Sequence, residues 1–186
     1  LPILNNFMLD IRALGKAPDS PIFAIECVFF EPSTGQIGPQ FYRAINIRTV
    51  GGIYPEAVLQ LMKGDNAQRA EVISATCSEI DAIQSACRFV NTTASKHEKL
   101  YCWSASNSAD VATLVHALSR YGIPDQVLPP FEIRHLSTLI HIAGITGYTP
   151  HPRRSTATYM LTDAAYRAEQ VCEVWQRLTS PHFESL

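Results

Sequence analysis

Residues 22–30 place the strongest constraint on the fold, because this run of nine residues is apolar except for Glu26. Its β-branched and aromatic side chains are typical of a strand that is buried on both faces. A shorter apolar run at 7–11 precedes it, and turn-forming residues lie on both sides of the longer run. With a third strand at 40–47, the sequence predicts a three-stranded antiparallel meander.

The rest of the chain has apolar residues at helical spacing. Ser78 is a candidate N-cap, and Gly122 and Gly144 are candidate helix ends. The predicted helices are 55–62, 78–90, 107–121, 136–143 and 162–178, with a short strand at 100–103. This order predicts an α/β fold with a mixed sheet. No repeat or linker divides the sequence, so we expect one domain over 1–186.

Composition excludes several classes of protein. The chain is 46% hydrophobic with a formal net charge of -2, which supplies a core but not the strong basic charge of bulk electrostatic nucleic-acid binders. Any nucleic-acid contact is therefore expected to be local. The sequence shows neither a signal-peptide pattern nor an apolar run of roughly 20 residues that would span a membrane. The five scattered cysteines favour buried free thiols, and we expect a soluble, cytoplasmic protein with no membrane partner.

Three aspartates are candidates for chemistry. Asp10 is the one charge in the first predicted strand, where an unpaired carboxylate costs on the order of several kcal/mol, so it requires a partner. Asp110 and Asp163 lie near the starts of predicted helices. Each of these two is explained equally well as an acid that stabilises a helix N-terminus.

Five segments, three of which contain these aspartates, occur in a characteristic order along nearly the whole chain, which makes a chance match improbable. They are MLDIRALG at 8–15, VFFEP at 28–32, CWSASNSAD at 102–110, EIRHL at 132–136 and LTDAA at 161–165. Together they resemble the DEDD 3'-5' exonucleases, and most closely the phage exonuclease VIII-like and mycobacterial exoribonuclease branch. The resemblance implies an RNase H-like α/β fold, in which a three-stranded antiparallel meander and parallel strands form a mixed sheet flanked by helices.

The resemblance also implies a site in which four carboxylates hold two divalent metals, Mg²⁺ or Mn²⁺, that orient the attacking water and stabilise the leaving oxygen. Asp10, Asp110 and Asp163 match the first, third and fourth acids of the family. The second acid is expected two residues after Asp10, on the same face of the strand. This chain has Arg12 there.

Arg12 is the most informative departure from the family pattern, since a guanidinium has no lone pair to offer a metal. An ion pair from Arg12 to the neighbouring aspartates would occupy the space of one metal and impair two-metal catalysis. Alternatively, Arg12 points to solvent and another acid, for which Glu26 is a candidate, replaces the missing ligand.

The residue that assists the attacking water is the second departure. Family branches with a histidine place it five residues before the last aspartate, where this chain has Thr158. Branches with a tyrosine place it four residues before, and Tyr159 stands there. Tyr159 is therefore a candidate catalytic residue, with simple packing beside the last helix as the alternative.

Further residues carry weaker signals. Arg153 and Arg154 form a short basic segment suited to phosphate contacts, although adjacent arginines are common on surfaces. Trp103 is a candidate for stacking on a base, with core packing as the alternative. Glu132 and Arg134 match an acid-x-Arg signature of the family, and an ion pair between them that supports the sheet is the favoured interpretation.

These observations favour a DEDD-type exonuclease-fold protein that is catalytically impaired and retained for binding nucleic acid, such as a single-stranded DNA or RNA 3' end, or a protein partner. One alternative is an active two-metal 3'-5' exonuclease. Another is an interaction module that does not bind nucleic acid, which the near-neutral charge favours. The sequence leaves open whether the chain forms a homodimer.

Overall fold

The computed structural model describes residues 4–50, 66–105, 108–151 and 162–180. Within these residues, one sheet contains five strands in the order β3-β2-β1-β4-β5. The strands are β1 (Asn6–Ala13), β2 (Ile22–Glu31), β3 (Gln36–Ala44), β4 (Leu100–Ser104) and β5 (Phe131–His135). The first three pair antiparallel, whereas β4 is parallel to β1 and β5 is parallel to β4. The predicted mixed sheet with an antiparallel meander is confirmed.

Helices cover both faces of this sheet. They are α1 (Asn66–Ser74), α2 (Glu79–Thr93), α3 (Ala109–Arg120), α4 (Leu136–Ile145) and α5 (Thr162–Thr179). Helices α2 and α3 pack on the face that carries Phe7 and Leu9, and α5 packs on the face that carries Met8 and Val28. Because side chains alternate along a strand, Asp10 and Arg12 share the α5 face with Met8.

Local signals explain several helix boundaries. Ser78 caps α2 as predicted, because its side chain accepts a hydrogen bond from the Asp81 backbone N–H at 3.2 Å. Helix α3 ends as predicted before Gly122, which adopts a φ of 63° that side-chain-bearing residues rarely adopt. All five cysteines are free, and four of them are buried.

Two predicted boundaries were wrong. The third strand is Gln36–Ala44 rather than 40–47, and it contains Pro39 because β3 is at the edge of the sheet, where a missing N–H need not break a ladder bond. Helix α4 continues through Gly144 to Ile145, and the left-handed residue after it is Gly147, with a φ of 80°.

Among the described α-helices and strands, α1 and the edge strand β5 were not predicted. The helix predicted at 55–62 lies outside the described residues. No helix in the described part of the chain is both long and apolar enough to cross a membrane.

Candidate functional site

The carboxyl-terminal end of β1 brings together most of the charged side chains that the sequence singled out. Asp10 is 7% exposed and lies directly opposite Glu26 of β2 in the antiparallel register. Helix α5 covers this position, and its first turn carries Asp163. The site therefore lies between two strands and the start of a helix, at the end of the parallel strands where ligands commonly bind in α/β proteins.

Arg12 lies inside this site. Its Nη2 donates a hydrogen bond to Asp163 Oδ2, and its Nε lies 3.6 Å from Asp10 Oδ2. The Arg12 side chain is 12% exposed, which rules out the alternative in which it points to solvent. Arg12 thus links the strand carboxylate and the helix carboxylate, as one of the two interpretations of the sequence expected.

A second arginine, Arg167 of α5, completes the arrangement and was not identified from the sequence. Its Nη1 donates a hydrogen bond to Asp10 Oδ1. Both oxygens of Asp10 therefore face guanidinium groups, which satisfies the requirement for a partner that the sequence imposed on this buried carboxylate.

Glu26 is the most deeply buried acid of the site, at 2% exposed. Its Oε2 accepts a hydrogen bond from the Ala164 backbone N–H at 2.9 Å, near the positive end of the α5 dipole. Among the described residues, Oε1 has no hydrogen-bond partner. Burial, with added repulsion from Asp10 and Asp163, raises the pKa of Glu26 to about 7.

Asp110 approaches the site from the first turn of α3. Its Oδ1 accepts a hydrogen bond from the Ile11 backbone N–H at 3.2 Å, which ties α3 to β1. Burial and the nearby Asp10 charge raise the pKa of Asp110 to about 6. Asp110 therefore lies both in the first turn of a helix and beside the acidic site.

We call these six residues the Asp10 cluster: Asp10, Arg12, Glu26, Asp110, Asp163 and Arg167. The cluster contains four carboxyl groups and two guanidinium groups. Strands β1 and β2, the first turn of α3 and the N-terminal part of α5 contribute them. Burial raises the pKa values of Glu26 and Asp110, and the negative charge of Asp10 beside them adds to the increase.

The remaining predicted residues lie away from the cluster or outside the described residues. Trp103 is 2% exposed, packs against Phe30 and Trp175, and donates a hydrogen bond from Nε1 to Asn6 Oδ1 at 2.9 Å. This geometry favours the core-packing alternative for Trp103 over base stacking. Tyr159, Arg153 and Arg154 lie outside the described residues.

The expected ion pair between Glu132 and Arg134 is not formed. Glu132 pairs instead with Lys99, and the Arg134 guanidinium lies 3.5 Å from the centre of the Tyr101 ring. The register of the two strands accounts for this contact. Tyr101 of β4 lies opposite Glu132, and its ring reaches Arg134, which is two residues further along β5 on the same face. A cation–π contact thus replaces the ion pair.

Comparison with known proteins agrees with this geometry. The model of the 3'-5' exoribonuclease Rv2179c-like domain matches residues 5–175. The chain belongs to the Rv2179c-like 3'-5' exoribonuclease domain family. No curated protein sequence matches the chain.

Solved structures show the same fold at low sequence identity. The nuclease domain of 3'hExo, a DEDDh family member bound to rAMP, has a TM-score of 0.62 at 11% identity and covers 94% of this chain and 93% of its own. A 3'-exonuclease solved with a histone mRNA stem-loop has a TM-score of 0.51 at 11% identity, covering 96% of this chain and 83% of its own. These similarities establish the RNase H-like exonuclease fold.

DEDD exonucleases generally use divalent metals, so the Asp10 cluster must be tested as a metal site. Carboxylates are suitable ligands for Mg²⁺ and Mn²⁺. Here, however, both oxygens of Asp10 and Oδ2 of Asp163 face guanidinium groups. Among the described residues, no three His, Cys, Asp or Glu side chains are arranged to hold a metal ion. The cluster as it stands does not fit a two-metal centre.

Proposed function

We propose that this member of the Rv2179c-like family is a nucleic-acid-binding protein with the fold of a 3'-5' exonuclease and an impaired catalytic site. The observation that carries the proposal is the position of Arg12, which pairs with Asp163 and lies beside Asp10 where the family has a metal-binding acid. A guanidinium at this place repels cations and offers them no ligand.

The proposed ligand is the 3' end of a single strand of RNA or DNA. Two proteins with this fold support this proposal, since one is solved with rAMP and another with a histone mRNA stem-loop. The near-neutral net charge of -2 favours a local contact over a broad basic surface. Arg153 and Arg154 remain candidates for that contact, through the phosphates.

The first test is a degradation assay on 3'-labelled single-stranded RNA and DNA with Mg²⁺ and with Mn²⁺. The unaltered chain is compared with Arg12→Glu, which restores the family acid, and with Asp10→Ala. The proposal expects no shortening by the unaltered chain or by Asp10→Ala. Shortening by the unaltered chain that disappears in Asp10→Ala would contradict the impaired site.

The second test measures binding by fluorescence anisotropy on linear and circular forms of the same oligonucleotide. A 3'-end ligand predicts tighter binding of the linear form, with an affinity that falls as salt is raised. Arg153→Ala with Arg154→Ala is expected to weaken binding and to reduce the salt dependence, with Arg88→Ala on exposed α2 surface as the control. Equal binding of both forms would contradict recognition of an end, and no binding to either would favour a protein-interaction module.

Glu26 provides the specific observation behind the second candidate function, an active metal-dependent exonuclease. It lies opposite Asp10, and its Oε1 accepts no hydrogen bond from the described residues. This candidate predicts degradation by the unaltered chain that is abolished in Glu26→Gln, whereas the impaired-site proposal predicts no degradation by either protein.

A further inference from the structure

Helix α5 and strand β1 are joined by two ion pairs that run in opposite directions. Arg12 of β1 donates to Asp163 of α5, and Arg167 of α5 donates to Asp10 of β1. Asp10 and Arg12 are two residues apart and share one strand face, and Asp163 and Arg167 are four residues apart and share one helix face. Each element thus presents one acid and one base to the other.

This reciprocal arrangement performs the bridging that cations perform between carboxylates of different elements. A divalent ion joins two acids by accepting lone pairs from both, whereas a guanidinium joins them by donating N–H groups in a fixed plane. The side chains of Arg12 and Arg167 are 12% and 28% exposed, so water screens these ion pairs only in part.

We infer that Arg12 and Arg167 together replace the cations of this fold, so that Arg167 is a second and independent barrier to metal binding. This inference rests on the proposed function and adds to it a residue outside the family acid positions. Restoring the acid at position 12 leaves Asp10 Oδ1 paired with Arg167. Both arginines must therefore be changed before both oxygens of Asp10 are available to a metal.

The test is a calorimetric titration of Mn²⁺ into five proteins whose folding is checked by circular dichroism. They are the unaltered chain, Arg12→Glu, Arg167→Gln, the double variant Arg12→Glu/Arg167→Gln, and Arg177→Gln as a control on the exposed end of α5. The unaltered chain and the control are expected to show no saturable binding. The double variant is expected to bind Mn²⁺ at least about tenfold more tightly than Arg12→Glu.

Two results would overturn the inference. If Arg12→Glu binds Mn²⁺ as tightly as the double variant, Arg167 is no barrier, although the impaired site of the proposed function stands. If the unaltered chain binds Mn²⁺ in a saturable way, the replacement of cations is wrong whatever the degradation assay shows.

A second measurement needs no variant. The melting temperature of the unaltered chain is recorded in EDTA, in Mg²⁺ and in Mn²⁺. A ligand that binds only the folded state raises the melting temperature. If Arg12 and Arg167 replace the metal cations, the melting temperature is therefore expected to be the same in EDTA, in Mg²⁺ and in Mn²⁺. If Mn²⁺ raises the melting temperature and EDTA reverses this increase, the inference is wrong, even if the double variant fails to fold.

Discussion

Two groups of buried charges tie helices to opposite faces of the sheet, and they are satisfied in different ways. In the Glu79 cluster, which consists of Glu79, Arg120, Tyr121 and the Ile22 backbone N–H, one carboxylate receives three donors. Glu79 Oε1 accepts from Ile22 N at 2.7 Å and from Arg120 Nη2 at 2.5 Å. Its Oε2 accepts from the Tyr121 hydroxyl at 2.5 Å.

The Asp10 cluster has the opposite balance. Two guanidinium groups face four carboxyl groups, Glu26 retains an oxygen without a donor among the described residues, and burial raises the pKa values of Glu26 and Asp110. A structural ion pair needs no excess of acid. The Glu79 carboxylate is fully paired, as suits a structural role. The Asp10 cluster has more acid than its two guanidinium groups pair, which is expected if arginines replace metal cations there as we propose.

Removal of the Glu79 carboxylate is expected to destabilise the protein more than any change in the Asp10 cluster. Glu79 is 0% exposed, and Glu79→Ala leaves Arg120 Nη2 and the Ile22 N–H without the carboxylate that accepts from them. The free energy of unfolding is expected to fall by about 3 to 5 kcal/mol, measured by urea denaturation. Glu98→Ala, on an exposed loop, is the control. A loss no greater than that of the control would show that the Glu79 cluster contributes no stability.

Removal of one guanidinium from the Asp10 cluster is expected to cost less. Arg12→Met takes a charged donor from Asp163 and Asp10, for a predicted loss of about 1.5 to 3 kcal/mol in the free energy of unfolding. The same denaturation experiment measures it, with Arg88→Met on the exposed surface of α2 as the matched control. If both variants unfold at the same urea concentration, the reciprocal ion pairs do not hold α5 in place.

The pH dependence of stability is expected to come from the Asp10 cluster, because the pKa values of Glu26 and Asp110 are raised there. Because the folded pKa of Glu26, about 7, lies above its ordinary value of 4.5, the folded chain binds more protons than the unfolded chain between these pH values. Stability from this group is present below pH 4.5 and is lost as the pH rises through about 7. Asp110, with a pKa raised to about 6, acts in the same direction.

Glu26→Gln is therefore expected to stabilise the folded chain at pH 8 by about 1 to 2 kcal/mol, since an uncharged amide avoids the cost of ionisation. The measurement compares the free energy of unfolding of both proteins at pH 5 and at pH 8. The variant should show the smaller decrease with pH. An unchanged slope would mean that Glu26 is already charged at low pH, which contradicts the account of its burial.

The smallest effect is expected at the edge of the sheet. Glu132 and Lys99 have side chains that are 55% and 59% exposed, so their ion pair is screened by water. Glu132→Gln should leave the free energy of unfolding unchanged within the error of the measurement, and added salt should not create a difference. A measurable loss would require a role for Glu132 beyond this pair.

The fold could be predicted from the sequence mainly where buried apolar residues recur along one strand or helix. The run that became β2 contains few polar residues and many β-branched and aromatic side chains, and together these features indicated a buried strand. Strand β5 was missed because it is short and at the sheet edge, where Glu132 and Ile133 are exposed and no buried run forms. Gly144 was misread because a glycine near a helix end is also tolerated inside the helix.

The site was partly predictable for a related reason. The face shared by Asp10 and Arg12 follows from the alternation of side chains along a strand. Arg167 had a signal too, since it lies four residues after Asp163 on a predicted helix. Its partner was not predictable, because the contact to Asp10 depends on how α5 crosses the sheet. The pairing of Arg134 with Tyr101 likewise required the register of β4 and β5.

The most direct test of the central claim is a crystal structure of the unaltered chain grown with millimolar Mn²⁺, with anomalous diffraction data collected near the manganese absorption edge. We expect no anomalous peak among Asp10, Asp110 and Asp163, and we expect guanidinium density from Arg12 and Arg167 between the strand and the helix. An anomalous peak bound by these aspartates, with either arginine displaced, would contradict the claim that the chain supplies its own counter-charges.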